Sequence, residues 1–384
     1  MVLCLFGVLF LGVADNQSLS PLLPLIRKAV GRSSREMGLL FTVYALSAGL
    51  SVLVWGPLSD LFGRKRCLIA GLTVFCAGSA ASFASGGFET LLAGRIITGA
   101  GASLLSVNTI AYAADYFPYA TRGWAMGTVF SSYFAALILG VPIGSWLGST
   151  FGWRSVFALG GVTAVALLGI IAWQLPAPAA NRDRGPGAVR QKFGNYVGFV
   201  TSRQTVPGLG ASFCASAGTA GFLAFVGVWL HDRFGLGARQ TALVFLFSGA
   251  AALAASPWAG KLSDRIGKSP QFVWSCVLLA GALCGLPYLV WGPGLFSVFC
   301  LISLATAFRQ GPMEALLTEL VPARSRGTFV ALKNASSQLG IGVSALLSGH
   351  LFETVGYQAV CWFCAAATLA AAGAMAAAGK GRRL

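Results

Sequence analysis

Twelve apolar runs of roughly 20 residues fill most of this sequence, and they restrict the chain to folds that lipid can surround. Each run is long enough to cross the roughly 30 Å hydrocarbon layer of a bilayer as one helix. The runs are continuous rather than alternating, so they predict helices rather than the strands of a barrel. Only 10% of the 384 residues are charged, too few to cover a water-soluble globule. The predicted spans are 2–24, 37–58, 67–86, 90–113, 124–148, 155–175, 206–230, 240–259, 271–291, 294–317, 328–350 and 358–379.

Charged residues, glycines and prolines recur at a fixed spacing of 204 residues, which indicates a duplicated chain. Apolar runs match by chance, but charged and turn-forming positions in one register rarely do. The segment GPLSDLFGRKR at 56–66 returns as GKLSDRIGK at 260–268. The paired positions are Gly56 and Gly260, Asp60 and Asp264, Gly63 and Gly267, Arg64 and Lys268, Asp115 and Glu319, Pro118 and Pro322, Arg122 and Arg326, and Gly152 and Gly356.

The segment 176–205 separates the two copies and is rich in proline, glycine and basic residues, so it is predicted to be a linker without a span. It leaves an N-terminal six-helix bundle at 1–175 and a C-terminal six-helix bundle at 206–384. Because each half has an even number of helices, both copies have the same orientation and are related by an axis along the membrane normal. Parallel repeats of this kind indicate a transporter with alternating access, whose solute site lies between the halves.

The distribution of positive charge predicts which side of the membrane each loop occupies. Of 27 Lys and Arg residues, 17 lie in alternate loops, the linker and the C-terminal tail, and seven lie in the opposite loops. The positive-inside rule puts the richer side, the linker and both termini in the cytoplasm. One loop, 25–36, opposes this assignment with four positive charges of its own. Topology thus explains the net charge of +16, and we predict no nucleic-acid partner.

An acid and a base fall inside predicted helices at matching depths. Asp15 lies near the middle of the first run, where an ionised side chain costs at least about 2.5 kcal/mol to insert. A rise of ~1.5 Å per residue places Asp15 about 20 Å from the cytoplasmic end of its helix and Arg95 about 8 Å from the outer end of the fourth. In a layer roughly 30 Å thick these depths nearly coincide. We interpret Asp15 with Arg95 as a proton-coupling site, and a structural pair or a substrate contact is the alternative.

The second half has its own charged residues inside helices, Arg309, Glu314 and Lys333, and the 204-residue offset gives neither Arg309 nor Glu314 a charged counterpart. An internal salt-bridge network is one interpretation. In the other, Arg309 contacts an anionic or polar solute or switches as a partner of Glu314. Further candidates for the substrate cavity are polar or amphipathic side chains that can also form helix-to-helix hydrogen bonds. They are Asn16, Gln17, Tyr44, Asn108, Tyr133, Gln310, Asn334 and Gln338.

Several segments resemble the major facilitator superfamily. GPLSDLFGRKR at 56–66 resembles the superfamily's loop signature, and GKLSDRIGK at 260–268 is similar to its second, weaker copy. GRIITGAGAS at 94–103 resembles an arginine and glycine element of its fourth helix. GVPIGSWLG and FGWR within 140–154 resemble the glycine and proline element of its exporters and antiporters. The groups most similar are the twelve-helix drug:proton antiporters and the sugar-efflux permeases. The resemblance implies an all-α polytopic membrane protein whose twelve transmembrane helices form two parallel-repeat six-helix bundles.

The resemblance also implies a gate on the cytoplasmic side, where loop residues tie the two halves together and part when the site opens inward. Its glycines permit close packing and a sharp turn, while Asp60 and Arg64 share one face of a helical turn and Asp115 is placed to accept Arg64. The alternative, in which the basic residues only set topology, leaves two acids at repeat-related positions unexplained. The predicted gate comprises Gly56, Asp60, Gly63, Arg64 and Asp115, with Asp264, Lys268 and Glu319 as its counterpart.

We therefore predict a proton-coupled exporter of small apolar or neutral molecules, of the multidrug type, in the cell's inner membrane. Its partners are a small-molecule substrate, protons and the lipid bilayer; we expect a monomer, no cofactor and no metal, with the proton gradient as the energy source. The alternatives are a sugar or other metabolite permease or importer, and a non-transporting membrane sensor of the same fold. An enzyme is not expected, because no triad, metal-cluster or phosphate-loop motif occurs and the histidines are His231 and His350 alone.

Overall fold

The structure is a computed structural model that describes residues 1–176, 194, 196–322 and 326–380. Within these ranges the side chains at 60, 119, 120, 122, 123, 256, 257, 260, 264, 318, 379 and 380 lie outside the description. The described residues form twelve helical spans and no β-strand, which confirms the predicted all-α membrane fold. The spans are α1 (Val2–Gln17 and Leu19–Val30), α2 (Ser34–Phe62), α3 (Arg64–Phe83), α4 (Phe88–Tyr116), α5 (Tyr119–Phe130, Ser132–Ala135, Ala136–Gly140 and Val141–Phe151), α6 (Arg154–Gln174), α7 (Val206–Phe234), α8 (Ala238–Ile266), α9 (Lys268–Gly285), α10 (Pro293–Thr318), α11 (Arg326–Thr354) and α12 (Tyr357–Lys380).

Length and composition suit these helices to a bilayer. Within the described residues, ten are long and apolar enough to cross a membrane, and α1 is an eleventh when its two segments count as one span. α11 has the length, 29 residues, but Lys333, Asn334 and Gln338 make it more polar. The prediction ended the first span near residue 24, whereas α1 continues to Val30 and ends at Gly31. Gly31 has a φ of 64°, a left-handed conformation that stops a helix.

The 204-residue offset holds in three dimensions. α2 and α8 each contain 29 residues, and their bounds differ by that offset. Each ends at a glycine with positive φ, 87° at Gly63 and 91° at Gly267, a region that other residues rarely adopt. Gly235, with a φ of 67°, ends α7 as Gly31 ends α1, and this pair obeys the same offset although no motif revealed it. The two halves therefore repeat in their turns as well as in their sequence.

Two helices of the first half are irregular, and prolines account for both. α1 bends by 46° between its two segments, where Pro21 lacks the N–H that a regular helix would use. α5 is π-helical over Ala136–Gly140, just before Pro142, whose ring crowds the preceding turn. The two irregular segments contact each other, because the Ser18 hydroxyl at the bend of α1 donates to the carbonyl O of Gly140, the last residue of the π-helical segment, at 3.2 Å.

The buried apolar residues form one core on one side of the membrane and two on the other. The end of the molecule where α6 leads into α7 is termed the linker side. On the opposite side, a single core joins both halves and includes Leu23 of α1 and Phe225 of α7. On the linker side, the first half has its own core around Phe75, and the second half has another around Phe272. The halves are therefore joined on the opposite side and largely separate on the linker side.

One seam between the halves stays packed through the depth of the membrane. Along it Gly38, Gly49 and Gly56 of α2 face Ala345, Ala335 and Ala331 of α11. At its linker-side end, the Tyr196 hydroxyl of the linker donates to the carbonyl O of Leu53 at 3.4 Å. Burial raises the pKa of Tyr196 to about 12, so the hydroxyl stays a donor. The predicted bounds of the halves, 1–175 and 206–384, stay a prediction, because most of the linker lies outside the described residues.

Candidate functional site

A buried ion pair joins α1 to α4 inside the first half. Arg95 Nη1 donates to Oδ2 of Asp15 at 2.6 Å, and Nη2 donates to Oδ1 of Asn16 at 3.5 Å. The side chain of Arg95 is fully buried and that of Asp15 is 3% exposed. The sequence predicted these two residues at one depth, and the structure brings them into contact. Each charge offsets the desolvation of the other, which is the condition for keeping a charged pair away from water.

An aromatic ring and a close helix approach fix the position of Arg95. Cζ of Arg95 lies 4.4 Å from the centroid of the Tyr44 ring, within the range of a cation–π interaction. The Tyr44 hydroxyl donates to the carbonyl O of Gly12 at 3.3 Å. Gly99 permits this arrangement, because a Cβ there would collide with the Tyr44 carbonyl. Tyr44, predicted to line the cavity, is buried and packs on the ion pair.

The glycines of the GVPIGSWLG element pack α5 against α1 of the same half. Built Cβ atoms on Gly140, Gly144 and Gly148 would meet Ala14, Ser18 and Leu22 respectively. Small residues at this spacing let two helix backbones approach closely. The stripe therefore holds the helix that carries Asp15 next to α5.

The charged residues of the second half are brought together only in part. Lys333 Nζ donates to Oε1 of Glu314 at 2.6 Å, and Gln310 Nε2 donates to the same oxygen at 3.2 Å. Arg309 points elsewhere, and its Nη2 donates to the carbonyl O of Ala215 on α7 at 3.0 Å. Its Nε and Nη1 have no hydrogen-bond partner among the described residues. The predicted ion-pair network thus includes Glu314 and Lys333, whereas Arg309 is buried inside the second bundle.

The remaining predicted cavity residues differ in exposure. Tyr133 of α5 is 42% exposed. Asn108 is fully buried, and its Nδ2 donates to the carbonyl O of Leu104 at 2.8 Å. The half-buried members are Asn16, Gln17, Asn334 and Gln338.

The predicted gate residues form one ion pair in each half. Arg64 Nε donates to Oδ2 of Asp115 at 3.3 Å, and Arg64 Nη1 donates to the Ser59 hydroxyl. The repeat-equivalent Lys268 Nζ donates to Oε1 of Glu319 at 2.6 Å. The side chains of Asp60 and Asp264 lie outside the described residues. Each of these two ion pairs joins helix ends within one half, and the predicted tying of the two halves stays a prediction.

Reversing the Arg64–Asp115 pair tests whether its charges matter for transport. Arg64→Asp and Asp115→Arg each place like charges side by side, so each alone should slow transport, and the double variant should recover part of the rate. We expect a coupling free energy of roughly 1 kcal/mol, or about fivefold in rate. The rates of transport by vesicles with equal protein content give this coupling energy. Lys65→Asp, a charge reversal at the next residue, is the matched control. Absence of recovery in the double variant would remove the pair from the gate.

The opposite side is closed by contacts between the halves that the sequence motifs did not reveal. Arg27 of α1 donates to both carboxylate oxygens of Asp232 on α7, at 3.0 and 3.3 Å. The Ser20 hydroxyl donates to the carbonyl O of Ala224 at 3.2 Å, and the two positions differ by the repeat offset of 204. The sequence contained one indication of this contact, in loop 25–36. The positive charges of that loop oppose the assignment of sides that the positive-inside rule gives. At least one of those charges, on Arg27, is held by an acid of the other half.

Helix contacts indicate that the molecule is open on the linker side. α7 packs against the second segment of α1, Leu19–Val30, whereas the first segment, Val2–Gln17, packs against α4, α5 and α6 of its own half. Similarly, α8 packs against α5 from Ser132 onward, and the earlier segment Tyr119–Phe130 packs against α1 and α4. The space between these first segments and the second half is termed the linker-side opening. Partly exposed polar side chains such as Glu314 lie beside it.

We expect Gly227→Val to weaken the closure of the opposite side. A Cβ on Gly227 of α7 would collide with the Ser20 carbonyl of α1, and a backbone atom cannot rotate away. Overpacking of this kind costs about 1–3 kcal/mol, at least about fivefold in the equilibrium between states. Disulfide formation between Ser20→Cys and Ala224→Cys in a cysteine-free background should fall accordingly. Gly210→Val, on the same helix with open space around its Cβ, should leave it unchanged. Equal disulfide yields in the two variants would contradict the prediction.

Comparisons with known proteins agree with this architecture. A family model described as Major Facilitator Superfamily matches residues 5–308. The uncharacterized MFS-type transporter YwfA of Bacillus subtilis is 27% identical over 376 residues, which cover 96% of this chain and 89% of the relative. The 4-hydroxybenzoate transporter PcaK of Pseudomonas aeruginosa is 28% identical over 194 residues, 50% of this chain and 43% of the relative.

A solved structure is similar over the whole length. It is the crystal structure of a bacterial homolog to the human lysosomal transporter Spinster, in an inward-facing and occupied conformation. The TM-score is 0.72 at 16% sequence identity, and the match covers 100% of this chain and 96% of that chain. At this identity the likeness concerns the fold.

Proposed function

The chain belongs to the major facilitator superfamily, and from that premise we propose that it is a proton-coupled exporter of small, largely apolar or neutral molecules. The buried pair of Asp15 and Arg95 carries the proposal. An intramembrane carboxylate is costly and usually functional. When an arginine lies beside it the carboxylate stays ionised, and when the arginine moves away it can bind a proton. A conformational change that separates the two residues would therefore couple proton binding to transport.

We assign the linker side to the cytoplasm, because 17 of the 27 Lys and Arg residues are on the loops, linker and tail of that side. Both termini are then cytoplasmic, and the protein acts as a monomer in the inner membrane. On this assignment the molecule is open to the cytoplasm and closed to the outside. The contacts of Arg27 with Asp232 and of Ser20 with Ala224 must break for release to the outside.

In the proposed cycle, solute enters from the cytoplasm through the linker-side opening, and Asp15 gives up its proton in that state. The ionised carboxylate then pairs with Arg95, as it does here. After the opposite side opens, a proton from outside returns to Asp15 and releases the arginine. Inward proton flow thereby drives outward solute flow. Because Glu314 is paired with Lys333, the charges beside the opening are compensated, which suits an apolar or neutral solute.

The second candidate is a metabolite importer, and the observation that favours it is the net positive charge of the side chains inside the membrane. Three basic side chains and two acidic ones lie well inside the spans, which leaves one positive charge uncompensated. The basic residues are Arg95, Arg309 and Lys333, and the acids are Asp15 and Glu314. An organic anion would suit that excess, and one relative is described as a 4-hydroxybenzoate transporter.

Vesicle assays separate these functions. In everted vesicles with an acidic interior, an exporter carries added solute inward in exchange for protons that leave. Addition of chloramphenicol or ethidium should therefore partly dissipate the pH gradient. A fluorescent amine that reports the pH gradient measures this change. Vesicles that lack the chain are the control. Uptake of labelled 4-hydroxybenzoate by right-side-out vesicles, driven by an alkaline interior, would support the importer instead. If neither these probes nor a wider compound panel moves, a non-transporting sensor is the better description.

A further inference from the structure

The two seams that join the halves are equivalent in the repeat but differ on the linker side. One joins α2 to α11, the other joins α8 to α5, and the 204-residue offset relates them. In the first seam, a Cβ built on Gly56 would lie 3.4 Å from that of Ala331. The position equivalent to Ala331 is Gly127 of α5, whose built Cβ has no atom of the described residues within 4 Å. At this level one seam is packed and the other is apart.

A leucine occupies a position of the second seam where the first seam has a glycine. Gly49 of α2 lets α11 approach closely, and its equivalent on α8 is Leu253, which is 41% exposed. One turn farther toward the opposite side, α8 meets α5. There a Cβ built on Gly249 would lie 3.0 Å from the side chain of Leu137 and 3.2 Å from that of Ile138. The helices α5 and α8 therefore separate toward the linker side.

One face of α5 is directed toward this separation. Gly127 precedes Ile138 by roughly three helical turns, so both residues lie on the side of α5 that faces α8. Phe130 lies about 60° from Gly127 around the helix axis, and it is 42% exposed. The space bounded by Gly127, Phe130 and Leu253 is termed the α5–α8 gap.

The α5–α8 gap lies at the level of the lipid acyl chains. On the linker side, the apolar span of α5 begins at Trp124 and that of α8 ends at Ala255. Trp124 and Trp258 are both exposed, and Lys261 Nζ lies 5.4 Å from the ring centroid of Trp258. Exposed tryptophans are typical of the membrane interface. Gly127 lies about 4.5 Å deeper than Trp124 along the helix. The gap therefore opens onto the acyl chains of the linker-side leaflet.

Aromatic side chains lead from the α5–α8 gap toward the space between the halves. The ring of Phe130 stacks on that of Tyr133, a predicted cavity residue, with 6.4 Å between the centroids. On the other flank of the molecule, the hydroxyl of the linker residue Tyr196 lies 3.8 Å from a Cβ built on Gly56, at the end of the packed seam. The linker-side opening is thus continuous with lipid on the flank of α5 and α8, and the flank of α2 and α11 is packed.

We propose that apolar solutes enter the protein from the cytoplasmic leaflet of the membrane, through the α5–α8 gap, rather than from water. The inference rests on the proposed function, since it takes an apolar or neutral solute and a cytoplasmic linker side. Such a solute is more concentrated among acyl chains than in water, because removal of its apolar surface from water is favourable. Phe130 and Leu253 offer apolar contacts at the entrance, and Gly127 leaves room for passage. The solutes are then molecules that dissolve in the bilayer.

The accessibility of a spin label tests whether the α5–α8 gap faces lipid. The label is attached to Gly127→Cys in a cysteine-free background of the full chain, in vesicles of phosphatidylethanolamine and phosphatidylglycerol. Molecular oxygen concentrates among acyl chains, whereas a charged nickel chelate stays in water, and paramagnetic resonance measures collisions of the label with each. Gly169→Cys, exposed on α6 with open space around its built Cβ, is the lipid reference. Gln310→Cys, whose native side chain contacts Glu314 beside the linker-side opening, is the water reference.

We expect the label at Gly127→Cys to match the lipid reference, with frequent oxygen collisions and rare nickel collisions. Rare collisions with both reagents would mean that α8 covers this position. Frequent collisions with nickel, as at the water reference, would mean that water rather than lipid fills the gap. Either of these results overturns the proposed route.

Transport by a variant with a filled gap tests the route directly. Gly127→Trp narrows the entrance, so most of the dissipation of the pH gradient by chloramphenicol in everted vesicles should be lost. Gly169→Trp adds the same side chain on α6, where the built Cβ also has open space, and should leave the dissipation unchanged. Full dissipation with folded Gly127→Trp would contradict the route, and the spin label decides if this variant does not fold.

Failure of the exporter proposal gives a different pattern. In that case neither chloramphenicol nor ethidium dissipates the gradient even with the unaltered protein. The collision rates at Gly127→Cys need no solute, so they still report whether the gap is open to lipid. The two failures are therefore distinguishable.

Discussion

Asp15→Asn is expected to abolish transport driven by a pH gradient while sparing membrane insertion and solute exchange. The amide has nearly the shape of the carboxyl group and can still accept a hydrogen bond from Arg95, whose contacts with Asn16 and Tyr44 remain. The amide cannot bind and release a proton near neutral pH. The two conformational states of the cycle then bind equal numbers of protons at this position, so a proton gradient no longer favours one state over the other. Gradient-driven flux in reconstituted vesicles should therefore fall to the level of empty vesicles.

Two comparisons make that result specific. Counterflow of an identified solute without a pH gradient should persist in Asp15→Asn, because exchange needs alternating access and not net proton movement. Glu89→Gln neutralises another acid of the first half, at the exposed end of α4, and should transport like the unaltered protein. Gradient-driven flux that survives in Asp15→Asn would place the coupling proton on another group.

The sequence predicted features that depend on spacing along one helix. Twelve spans, the duplicated turns at Gly63 and Gly267, and the common depth of Asp15 and Arg95 follow from run length, repeat offset and helical rise. Each of these features depends only on positions along the chain, so the sequence alone is enough to predict it.

Features that depend on the rotation of a helix about its axis did not follow from the sequence. Arg309 and Glu314 are five residues, or about 140°, apart on α10, so their side chains point in different directions. The sequence did not show which helices they meet: Arg309 faces α7 and Glu314 faces α11. The predicted contact of Arg64 with Asp115 is present, whereas the role of the gate cluster in tying the halves together stays a prediction. Neighbouring helices decide which way a side chain points, and in lipid several faces are apolar enough to be buried.

Positions that break the repeat are the ones that distinguish the halves. The first half has an ion pair at Asp15 and Arg95, where the offset gives Thr219 and the buried Phe299. The second half has Arg309, where the offset gives Leu105 in the core of the first half. Duplicated positions therefore form turns, seams and helix ends. The charged residues without a counterpart give each half a function that the other half lacks.

Arg95→Met is expected to destabilise the protein more than any single loss of a surface charge. The guanidinium is fully buried and its Nη1 lies 2.6 Å from Asp15, so its removal leaves a carboxylate enclosed without a counter-charge. Breaking a buried pair from one side costs about 3–5 kcal/mol. The yield of folded protein and the midpoint of thermal unfolding in detergent should both fall.

Removing both charges separates the structural part of this pair from its functional part. Asp15→Leu combined with Arg95→Met leaves no buried charge, so most of the unfolding midpoint should return, as apolar replacements of buried pairs are often neutral or stabilising. Gradient-driven transport should stay absent, because no group at this position then exchanges a proton. Recovery of stability without transport is the outcome that a coupling site requires. A purely structural pair would regain both, and a double variant no more stable than Arg95→Met would mean that Arg95 acts through Tyr44 and Asn16 rather than through Asp15.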